Sequence, residues 1–428
     1  MTVTAVVGLQ WGDEAKGKLV DLLSPGADVV ARFNGGDNAG HTVVNELGTF
    51  KLRLTPNGFS SPDTQCVIGP GVVVNPATLL SEIQSIESSG IRLRQRLWVS
   101  PRCNLVLPYH PAVEGVFEQA RGAGKTGTTR RGMGPVFADK VSYNGITFFD
   151  LADEARFAEK LRLQLSIKNP FLQAFGQEAL DFEQIFNTTL AMYRQFQECV
   201  REPFGMLHET LERGGRILLE GAQGALLDNN WGTYPFCTAS TTLSGGASAG
   251  LGIAPRTIQE VVGVTKAYTT RVGAGPFPTE LLDETGATIQ QAGAEFGTVT
   301  GRARRCGWFD AELVRFTAQV NGATALALTK LDVLDGLPTI KIGIGYRRPG
   351  SAEPQRLWHY WEIDAYALDD CEPVYIEMPG WMQPTSHLRS FDALPVQAQA
   401  YVHKIEQLTG VPVGYVSVGP ERAATITR

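Results

Sequence analysis

Several features that would assign this 428-residue chain to a class at once are absent from it. No run of about 18 apolar residues occurs, so no transmembrane helix is expected. The six cysteines are scattered without a C-x-x-C pair, which argues against a zinc site or a disulfide framework and favours a reducing compartment. The sequence also opens without the charged and apolar regions of a secretory signal. We therefore expect a cytoplasmic protein with no membrane partner.

Basic blocks and flexible linkers are missing as well. The formal net charge is −6, which argues against nucleic acid as a partner. No Pro- or Ser-rich linker interrupts the chain, so we expect residues 1–428 to form a single domain. Glycine, in contrast, is abundant at 47 residues and clusters in loops, which indicates backbone that approaches ligands.

Apolar, strand-like segments alternate with helical ones along the chain. Strands are predicted at 3–7, 28–33, 50–54, 65–68, 97–99, 104–107, 217–220, 261–268 and 325–328. Helices are predicted at 76–88, with Asn75 as the N-cap, and at 396–407. Residues from about 148 to 213 form a mainly helical insertion. This alternation predicts an α/β fold, with a large, mostly parallel β-sheet and helices on both faces.

The N-terminal segment contains the clearest motif. An apolar strand leads into a glycine-rich turn and a helix, an arrangement whose free N–H groups bind anions. From Gly12 to Lys18 the spacing is G-x-x-x-x-G-K, as in phosphate-binding loops. Leu19 stands where Ser or Thr normally holds Mg²⁺, so another oxygen must bind any metal, and Asp13 and Glu14 are nearest. The alternative is an ordinary strand–turn–helix with a solvated acidic turn.

A second motif, Thr329-Lys330-Leu331-Asp332, follows an apolar strand and suits the reading of guanine. An Asp carboxylate can accept hydrogen bonds from both N1–H and the 2-amino group of guanine, a donor pair that adenine lacks. The Lys stem can stack on the base. Together with the N-terminal phosphate-type loop, this segment predicts GTP as a ligand.

Over essentially its whole length the chain resembles the adenylosuccinate synthetase family. The segments that carry the resemblance are Gln10-Trp11-Gly12-Asp13-Glu14, Asn38-Ala39-Gly40-His41-Thr42, Gly127-Thr128-Thr129, Glu220-Gly221-Ala222-Gln223-Gly224, residues 271–280, Gly301-Arg302 and residues 329–336. The resemblance implies a GTP-dependent ligase that joins IMP and L-aspartate through 6-phosphoryl-IMP to give adenylosuccinate, GDP and phosphate. This is the first committed step from IMP to AMP in purine biosynthesis. It also implies Mg²⁺ as cofactor and a homodimer.

The resemblance assigns the catalytic residues Asp13, His41 and Gln223. Asp13 would remove the N1 proton of IMP, which makes O6 a better nucleophile, and would bind Mg²⁺ together with the backbone carbonyl of Gly40. His41 would act as the acid that stabilises charge on the leaving β-phosphate. Gln223 would orient the purine, because an amide can donate and accept at once.

Three binding sites follow from the same resemblance. The GTP site comprises Gly12, Asp13, Glu14, Ala15, Lys16, Gly17, Lys18, Gly40, His41, Thr42, Arg304, Lys330, Leu331, Asp332, Ser417, Val418 and Gly419. The IMP site comprises Asp13, Lys16, Asn38, Ala39, Gly40, His41, Thr128, Thr129, Gln223, Thr238 and Arg302. The aspartate site comprises Thr298, Val299, Thr300, Gly301, Arg302 and Arg304. Two carboxylates on aspartate account for the arginines, because a guanidinium offers a planar bidentate fork.

Three positions depart from the family pattern. Ala15 and Arg130 stand where the family usually has Gly. Tyr143 stands where the family usually has an Arg that reaches the IMP phosphate of the other subunit. Because Arg130 is a new cation beside Thr129, we expect it to take over neutralisation of that phosphate.

Two alternative functions remain open from the sequence. One is a related enzyme that aminates another 6-oxopurine nucleotide such as dGMP. Phage relatives of that kind typically carry Ser in place of Asp13, so this chain argues against it. The other is a non-catalytic GTP-binding protein, against which the joint presence of Asp13, His41 and Arg302 argues.

Overall fold

The computed structural model describes residues 2–297, 301, 303–353 and 355–428. The strands β1 to β18 are Thr2–Gly8, Val29–Arg32, His41–Asn45, Gly48–Leu52, Gln65–Ile68, Val73–Val74, Leu97–Val99, Asn104–Leu105, Arg216–Gly224, Glu260–Lys266, Thr269–Arg271, Arg305–Gly307, Phe309–Asp310, Ala325–Thr329, Thr339–Arg347, Glu372–Pro379, Val413–Ser417 and Thr425–Thr427. The helices α1 to α13 are Lys16–Leu23, Pro76–Ser88, Tyr109–Arg121, Met133–Val141, Phe148–Leu151, Glu154–Ala174, Phe182–Tyr193, Phe204–Glu212, Gly246–Leu251, Glu284–Ala292, Ala311–Asn321, Ala365–Asp369 and Val396–Thr409.

A large sheet forms the centre of the described chain, in the strand order β18-β17-β14-β10-β1-β9-β2-β5-β7. From β17 to β7 every neighbouring pair is parallel, and β18 alone pairs antiparallel, with β17. The strands are rich in Val, Ile and Leu and buried on both faces, as parallel strands covered by helices must be. The predicted α/β fold with a mostly parallel sheet is confirmed.

Alternate residues of β1 pack into different cores. Ala5 and Val7 belong to the core that includes residues of α8, α11 and α13. Val6 faces the other side, where it packs with Leu19 and Val20 of α1. The period-two alternation of the strand thus places α1 on one face of the sheet and the larger helices on the other.

A third core covers the end of the sheet at β5 and β7 and includes residues of α2, α5, α6 and α7. The predicted helix at 76–88 is confirmed as α2, and the side chain of Asn75 accepts from the backbone N–H of Ala77 at 3.1 Å and of Thr78 at 3.4 Å. The segment predicted to be helical contains α5 to α8. In the part of the chain described here, no helix is long and apolar enough to cross a membrane.

Strand β9 runs to Gly224, four residues beyond its predicted end. The glycines after Glu220 suggested a turn, but they have a packing role within the strand. A Cβ on Gly221 would lie 3.0 Å from the carbonyl oxygen of Val6, and one on Gly224 would lie 2.2 Å from that of Gln10. These glycines let β9 approach the end of β1 and its loop closely.

The carboxyl ends of the parallel strands all lie along one edge of the sheet. The loops that leave β1, β2, β9, β14 and β17 at this edge carry most of the residues that the sequence predicts as functional. Crevices at this edge are where α/β sheets commonly bind ligands.

Candidate active site

The loop after β1 is built around the buried carboxylate of Glu14. Its Oε1 accepts from the backbone N–H of Gln10 at 3.1 Å and of Gly12 at 2.8 Å, and its Oε2 accepts from Lys16 Nζ at 2.6 Å. A Cβ on Gly8 would lie 2.4 Å from Oε2, so only glycine fits beside this carboxylate. Both oxygens of Glu14 are therefore engaged within the loop, and Asp13, whose side chain is 28% exposed, is the loop carboxylate that a ligand can reach.

The same loop turns into α1 through left-handed backbone. Gly12, Asp13 and Ala15 have φ of 89°, 61° and 68°. Ala15 occupies the N-cap position of α1, and no side chain caps the helix. The first N–H groups of α1 are thus available to an anion. The left-handed conformation also explains in physical terms why glycine would suit position 15 better than Ala15 does.

Lys18 is directed away from the loop and toward the C-terminal strand. Its Nζ donates to Ser417 Oγ and to the carbonyl oxygen of Gly419, both at 2.6 Å. Burial lowers the pKa of Lys18 to about 8, although the charge of Asp332 opposes the shift. These bonds join Lys18 to the segment 417–419, and both were predicted from the sequence to belong to the GTP site.

His41, the first residue of β3, pairs with a buried glutamate. Its Nδ1 lies 2.7 Å from Glu220 Oε1, and that carboxylate also accepts from the backbone N–H and the side-chain amide of Asn57, at 2.8 and 2.7 Å. Burial lowers the pKa of His41, while Glu220 acts in the opposite direction. The pair fixes the imidazole with Nε2 left for a ligand. Gly17 of α1 packs against it, since a Cβ there would lie 3.0 Å from His41 Cβ.

Gln223, Asn38 and Thr238 form a polar cluster beside this pair. Gln223 Nε2 donates to Asn38 Oδ1 at 2.9 Å, and Asn38 Nδ2 donates to Thr238 Oγ1 at 3.4 Å. Gln223 has a φ of 60°, and its Oε1 is buried with no hydrogen-bond partner among the described residues. A buried acceptor without a donor is costly, which is expected where a ligand supplies the donor.

Asp332 shows the same feature on the other side of β1. It lies in a short 3-10 turn, Leu331–Leu334, directly after β14. Its Oδ1 is buried and finds no donor in the described part of the chain. Burial raises the pKa of Asp332, while the charges of Lys18 and Lys330 act against this. Lys330 has a φ of 59° and donates through Nζ to the carbonyl oxygen of Gly293 at 2.7 Å.

Glu295 joins the segments that carry the predicted GTP and aspartate residues. It is fully buried and accepts from Lys266 Nζ at 2.8 Å, Lys330 Nζ at 2.6 Å and Arg304 at 2.6 Å. Although burial opposes it, these cations hold the pKa of Glu295 well below its usual range. Arg304 Nε in turn lies 3.0 Å from Asp13 Oδ2, as an ion pair without hydrogen-bond alignment.

The loop between α3 and α4 carries Thr128 and Thr129, which are half-buried, and Arg130, which is exposed. Arg130 has a φ of 56°, the left-handed region that glycine favours. Arg131 NH1 lies 3.8 Å from Asp37 Oδ2, so the loop lies next to the Asn38 segment. Tyr143 lies after α4 with 96% of its side chain exposed.

Some of the remaining predicted residues are described by the structure and others are not. Ala39 is buried and Gly40 is half-buried just before β3, and Thr42 is exposed within it. Gly301 has a φ of 64°. Thr298, Val299, Thr300 and Arg302, which belong to the predicted aspartate site, lie outside the described residues.

The sequence profile of the adenylosuccinate synthetase family matches residues 5–426. The chain belongs to the adenylosuccinate synthetase family. Adenylosuccinate synthetase of Heliobacterium modesticaldum is 48% identical over 427 residues, which cover 100% of this chain and 99% of that protein. The enzyme of Carboxydothermus hydrogenoformans is 46% identical with the same coverage. The predicted family and the predicted ligase class are confirmed.

Solved structures agree with this family. Fully ligated adenylosuccinate synthetase from Plasmodium falciparum superposes with a TM-score of 0.94 at 34% identity, and the match covers 100% of both chains. Cyanophage S-2L succinoaminodeoxyadenylate synthetase, bound to dGMP and dATP, gives a TM-score of 0.62 at 22% identity, over 100% of this chain and 95% of that one. The phage protein shares the fold alone at this identity, and the family match does not favour the dGMP alternative.

Three buried carboxylates at this site have no role in the sequence-based prediction: Glu220, Glu295 and Glu118, a residue of α3. Glu220 directly follows the apolar run Ile217 to Leu219. A charged residue next to such a buried run indicates a group that is paired in the fold. Glu295 and Glu118 lie in polar segments, where a carboxylate is ordinary. Their partners are brought to them only by the tertiary fold.

Proposed function

We propose that the protein ligates L-aspartate to IMP with GTP, giving adenylosuccinate, GDP and phosphate. One observation carries this beyond family membership. Gln223 Oε1 and Asp332 Oδ1 are both buried and lack a donor among the described residues, and they belong to strand ends on opposite sides of β1. Each acceptor suits the base of one purine nucleotide, and the loop after β1, whose N–H groups can bind anions, lies between them. This arrangement suits two nucleotides whose reacting groups meet at that loop.

The guanine base occupies the side of Asp332. Its carboxylate accepts from N1–H and from the 2-amino group, so guanine satisfies the orphaned oxygen and adenine does not. Lys330 stacks its stem on the base while Glu295 holds its ammonium, and Ser417 to Gly419 form the opposite wall. Lys18 fixes that wall from α1. The N–H groups at the start of α1 face the phosphates.

IMP occupies the side of Gln223. The amide uses one hydrogen to hold Asn38 and keeps a second hydrogen and Oε1 for the donor–acceptor edge of a 6-oxopurine. Asn38, Thr129 and Thr238 contact the 5′-phosphate, with Arg130 as the added cation. Lys16, Ala39 and Thr128 complete the pocket.

The first chemical step transfers the γ-phosphoryl group of GTP to O6 of IMP. The 6-oxygen of a purine is a poor leaving group, and phosphorylation makes it a good one. Asp13 accepts the N1 proton, which raises the electron density on O6. Protonated His41, held by Glu220, presents Nε2–H to the charge that develops on the leaving β-phosphate. The aspartate amine then displaces phosphate at C6.

Magnesium fits the residues available here. Mg²⁺ prefers carboxylate and carbonyl oxygens and commonly takes one or two protein ligands beside substrate phosphates and water. Asp13 has a partly exposed carboxylate, whose Oδ2 lies beside Arg304, and Gly40 has a backbone carbonyl, whereas both oxygens of Glu14 are bonded within the loop. When bound, the ion offsets the negative charge of the phosphates. Asp13 and Gly40 would hold it.

Arg304 and Gly301, with residues 298–300 and Arg302, bind the two carboxylates of aspartate. We also propose a single domain with a helical insertion at about 148–213, a homodimer and a cytoplasmic location. The exposure of Tyr143 leaves it available to a partner subunit. The absence of a transmembrane candidate among the described helices is compatible with this location.

A GDP-release assay tests the proposal. Purified protein with GTP and Mg²⁺ is expected to release GDP only when IMP and aspartate are both present. A panel of IMP, dIMP, GMP and dGMP identifies the nucleotide, and activity with dGMP in place of IMP would favour the alternative enzyme. Sustained GDP release when IMP or aspartate is left out would contradict the ligase assignment.

A further inference from the structure

Two carboxylates of α3 face the loop at residues 126–132, and no role has been given to either. Glu114 and Glu118 are four residues apart and therefore lie on the same face of the helix. Both are more than nine-tenths buried. A buried carboxylate is retained only where donors satisfy it, so the partners of these two residues indicate what they do.

Glu118 binds the first part of the loop. Its Oε1 accepts from the backbone N–H of Thr126 at 3.2 Å and from the Thr126 hydroxyl at 2.7 Å, and its Oε2 accepts from the N–H of Gly127 at 2.9 Å and of Thr128 at 3.3 Å. Three successive N–H groups that converge on one anion form a nest. Although burial opposes it, these bonds together with one from Arg121 lower the pKa of Glu118 to about 2, so it is ionised at every working pH.

Glu114 binds the other end of the loop. Its Oε2 accepts from the backbone N–H of Gly132 at 2.9 Å. Gly132 has a φ of 75°, and a Cβ there would lie 2.6 Å from His110 Cβ, so the chain is also held sterically at this point. Between the two anchors only Thr129, Arg130 and Arg131 are left as the crest of the loop.

The crest lies against the proposed IMP pocket. Arg131 approaches Asp37, the neighbour of Asn38, and a Cβ on Gly36 would lie 2.8 Å from Met133 Sδ. The base of the loop packs on the segment after β11, where the N–H of Ala274 donates to the carbonyl oxygen of Thr126 at 3.4 Å. The loop is thus held at both ends, and its C-terminal part, at Arg131 and Met133, lies beside residues 36–37.

We propose that Glu118, assisted by Glu114, is a positioning residue that holds the 126–132 loop in the shape that binds the IMP 5′-phosphate. This inference rests on the proposed function, because IMP is its ligand. Glu118 binds the N–H groups of Thr126, Gly127 and Thr128. The Thr128 hydroxyl accepts from the N–H of Arg130 at 3.4 Å, and its own hydrogen can still be donated to the phosphate, as can that of Thr129. A loop ordered in advance spares the nucleotide the entropic cost of ordering it on binding.

The test compares E118Q with R121Q in the full-length protein. In E118Q the isosteric amide presents an NH₂ group to N–H donors, so it loses acceptors and gains repulsion. Arg121 donates to Glu118 Oε1 at 2.9 Å from the solvent side and is not a loop anchor, so R121Q is the matched control. E118D, which keeps the charge but shortens the side chain, is a second variant if E118Q folds poorly.

We expect E118Q to raise KM for IMP by about 10–100-fold, the range for losing one to two bonds to a charged group. KM for GTP and aspartate should stay within about twofold, because the bonds of Glu118 go to the loop and to Arg121 and not to residues proposed for those substrates. In hydrogen exchange of the protein without ligands, amides 126–128 should exchange at least about tenfold faster in E118Q, with α3 unchanged. R121Q, in which Glu118 keeps its four bonds to the loop, should change both measurements much less than E118Q does.

Equal increases in KM for all three substrates would overturn the inference in favour of a general structural role. Unchanged exchange at 126–128 would overturn it as well. Failure of the proposed function is a separate outcome, since it would show as wild-type protein that releases no GDP with IMP. The exchange measurement needs no nucleotide, so it still decides whether Glu118 holds the loop.

Discussion

The guanidinium of Arg304 lies 3.0 Å from the carboxylate of Asp13. The proposed aspartate clamp and the proposed general base are therefore neighbours, although they are about 290 positions apart in the sequence. Aspartate held by Arg304 would be delivered beside the purine edge from which Asp13 removes a proton. The contact thus brings both halves of the reaction to one point.

Asp13→Asn should cause nearly complete loss of turnover, with nucleotide binding partly retained, because the change removes the base and a metal ligand. Asn tolerates the left-handed backbone of this position, where φ is 61°, so the loop should keep its shape. The amide cannot accept the N1 proton, and base catalysis alone is worth about 10²–10⁴-fold. Steady-state GDP release and GTP titration measure the two properties. A variant with more than about a tenth of wild-type kcat would exclude Asp13 as the base.

Asp332→Asn should weaken GTP binding and alter base preference. The carboxylate accepts two bonds from guanine, and bonds to charged groups are worth about 1.5–3 kcal/mol each. The new amide can donate to the 2-oxo group of xanthine, so xanthosine triphosphate should become a better substrate relative to GTP. KM values for both nucleotides test this. An unchanged KM for GTP would place the guanine pocket elsewhere.

GTP binding should be accompanied by proton uptake at His41. Burial lowers the pKa of this imidazole, so near pH 7 most molecules carry it neutral, whereas the anionic phosphates of GTP favour the charged form. Linkage then makes GTP binding weaker as pH rises through the pKa of the complex. Calorimetry in buffers of different ionisation enthalpy measures the uptake.

Two variants serve as controls for this proton. His41→Asn should remove the uptake, and Glu220→Gln should reduce it, because the carboxylate stabilises the imidazolium. Identical proton uptake in wild type and His41→Asn would show that another group titrates and that His41 is not the acid.

Arg130→Gly should raise KM for IMP by roughly 10–100-fold, the equivalent of losing one charge-assisted bond at about 1.5–3 kcal/mol. Glycine suits the left-handed backbone at this position, where φ is 56°, so the loss should come from the charge and not from misfolding. Tyr143→Phe should change KM by less than about tenfold, because a phenol supplies at most a neutral bond. Steady-state kinetics of the two variants decide the point.

The two variants can also give the opposite result. An unchanged KM for IMP in Arg130→Gly would mean that the guanidinium does not neutralise the phosphate. A large effect of Tyr143→Phe would assign the contact to the residue that replaces the family's cross-subunit arginine.

Local patterns predicted the elements that depend on local chemistry. The cap of α2 at Asn75 and the β-branched run of β1 are examples, because each is determined by neighbours in the chain. The extension of β9 to Gly224 was not predicted, because the sequence alone does not distinguish a glycine that permits close packing from one that makes a turn. The contact of Lys18 with Ser417 was not predicted, because it depends on a partner 399 positions away. The roles of Glu118 and Glu295 were hidden for the same reason.

The topology of the central sheet has a consequence for how the protein is made. β1 ends at Gly8, yet its neighbours in the sheet are β9 and β10, which begin at residues 216 and 260. Pairings of such high contact order close late and slowly. Until β9 and β10 have been synthesised, the apolar β1 has no neighbour to pair with in the sheet. During this time it is open to aggregation and to chaperones. The anion-binding loop is completed later still, because Thr329 donates to the carbonyl oxygen of Glu14 and Lys18 donates to Ser417.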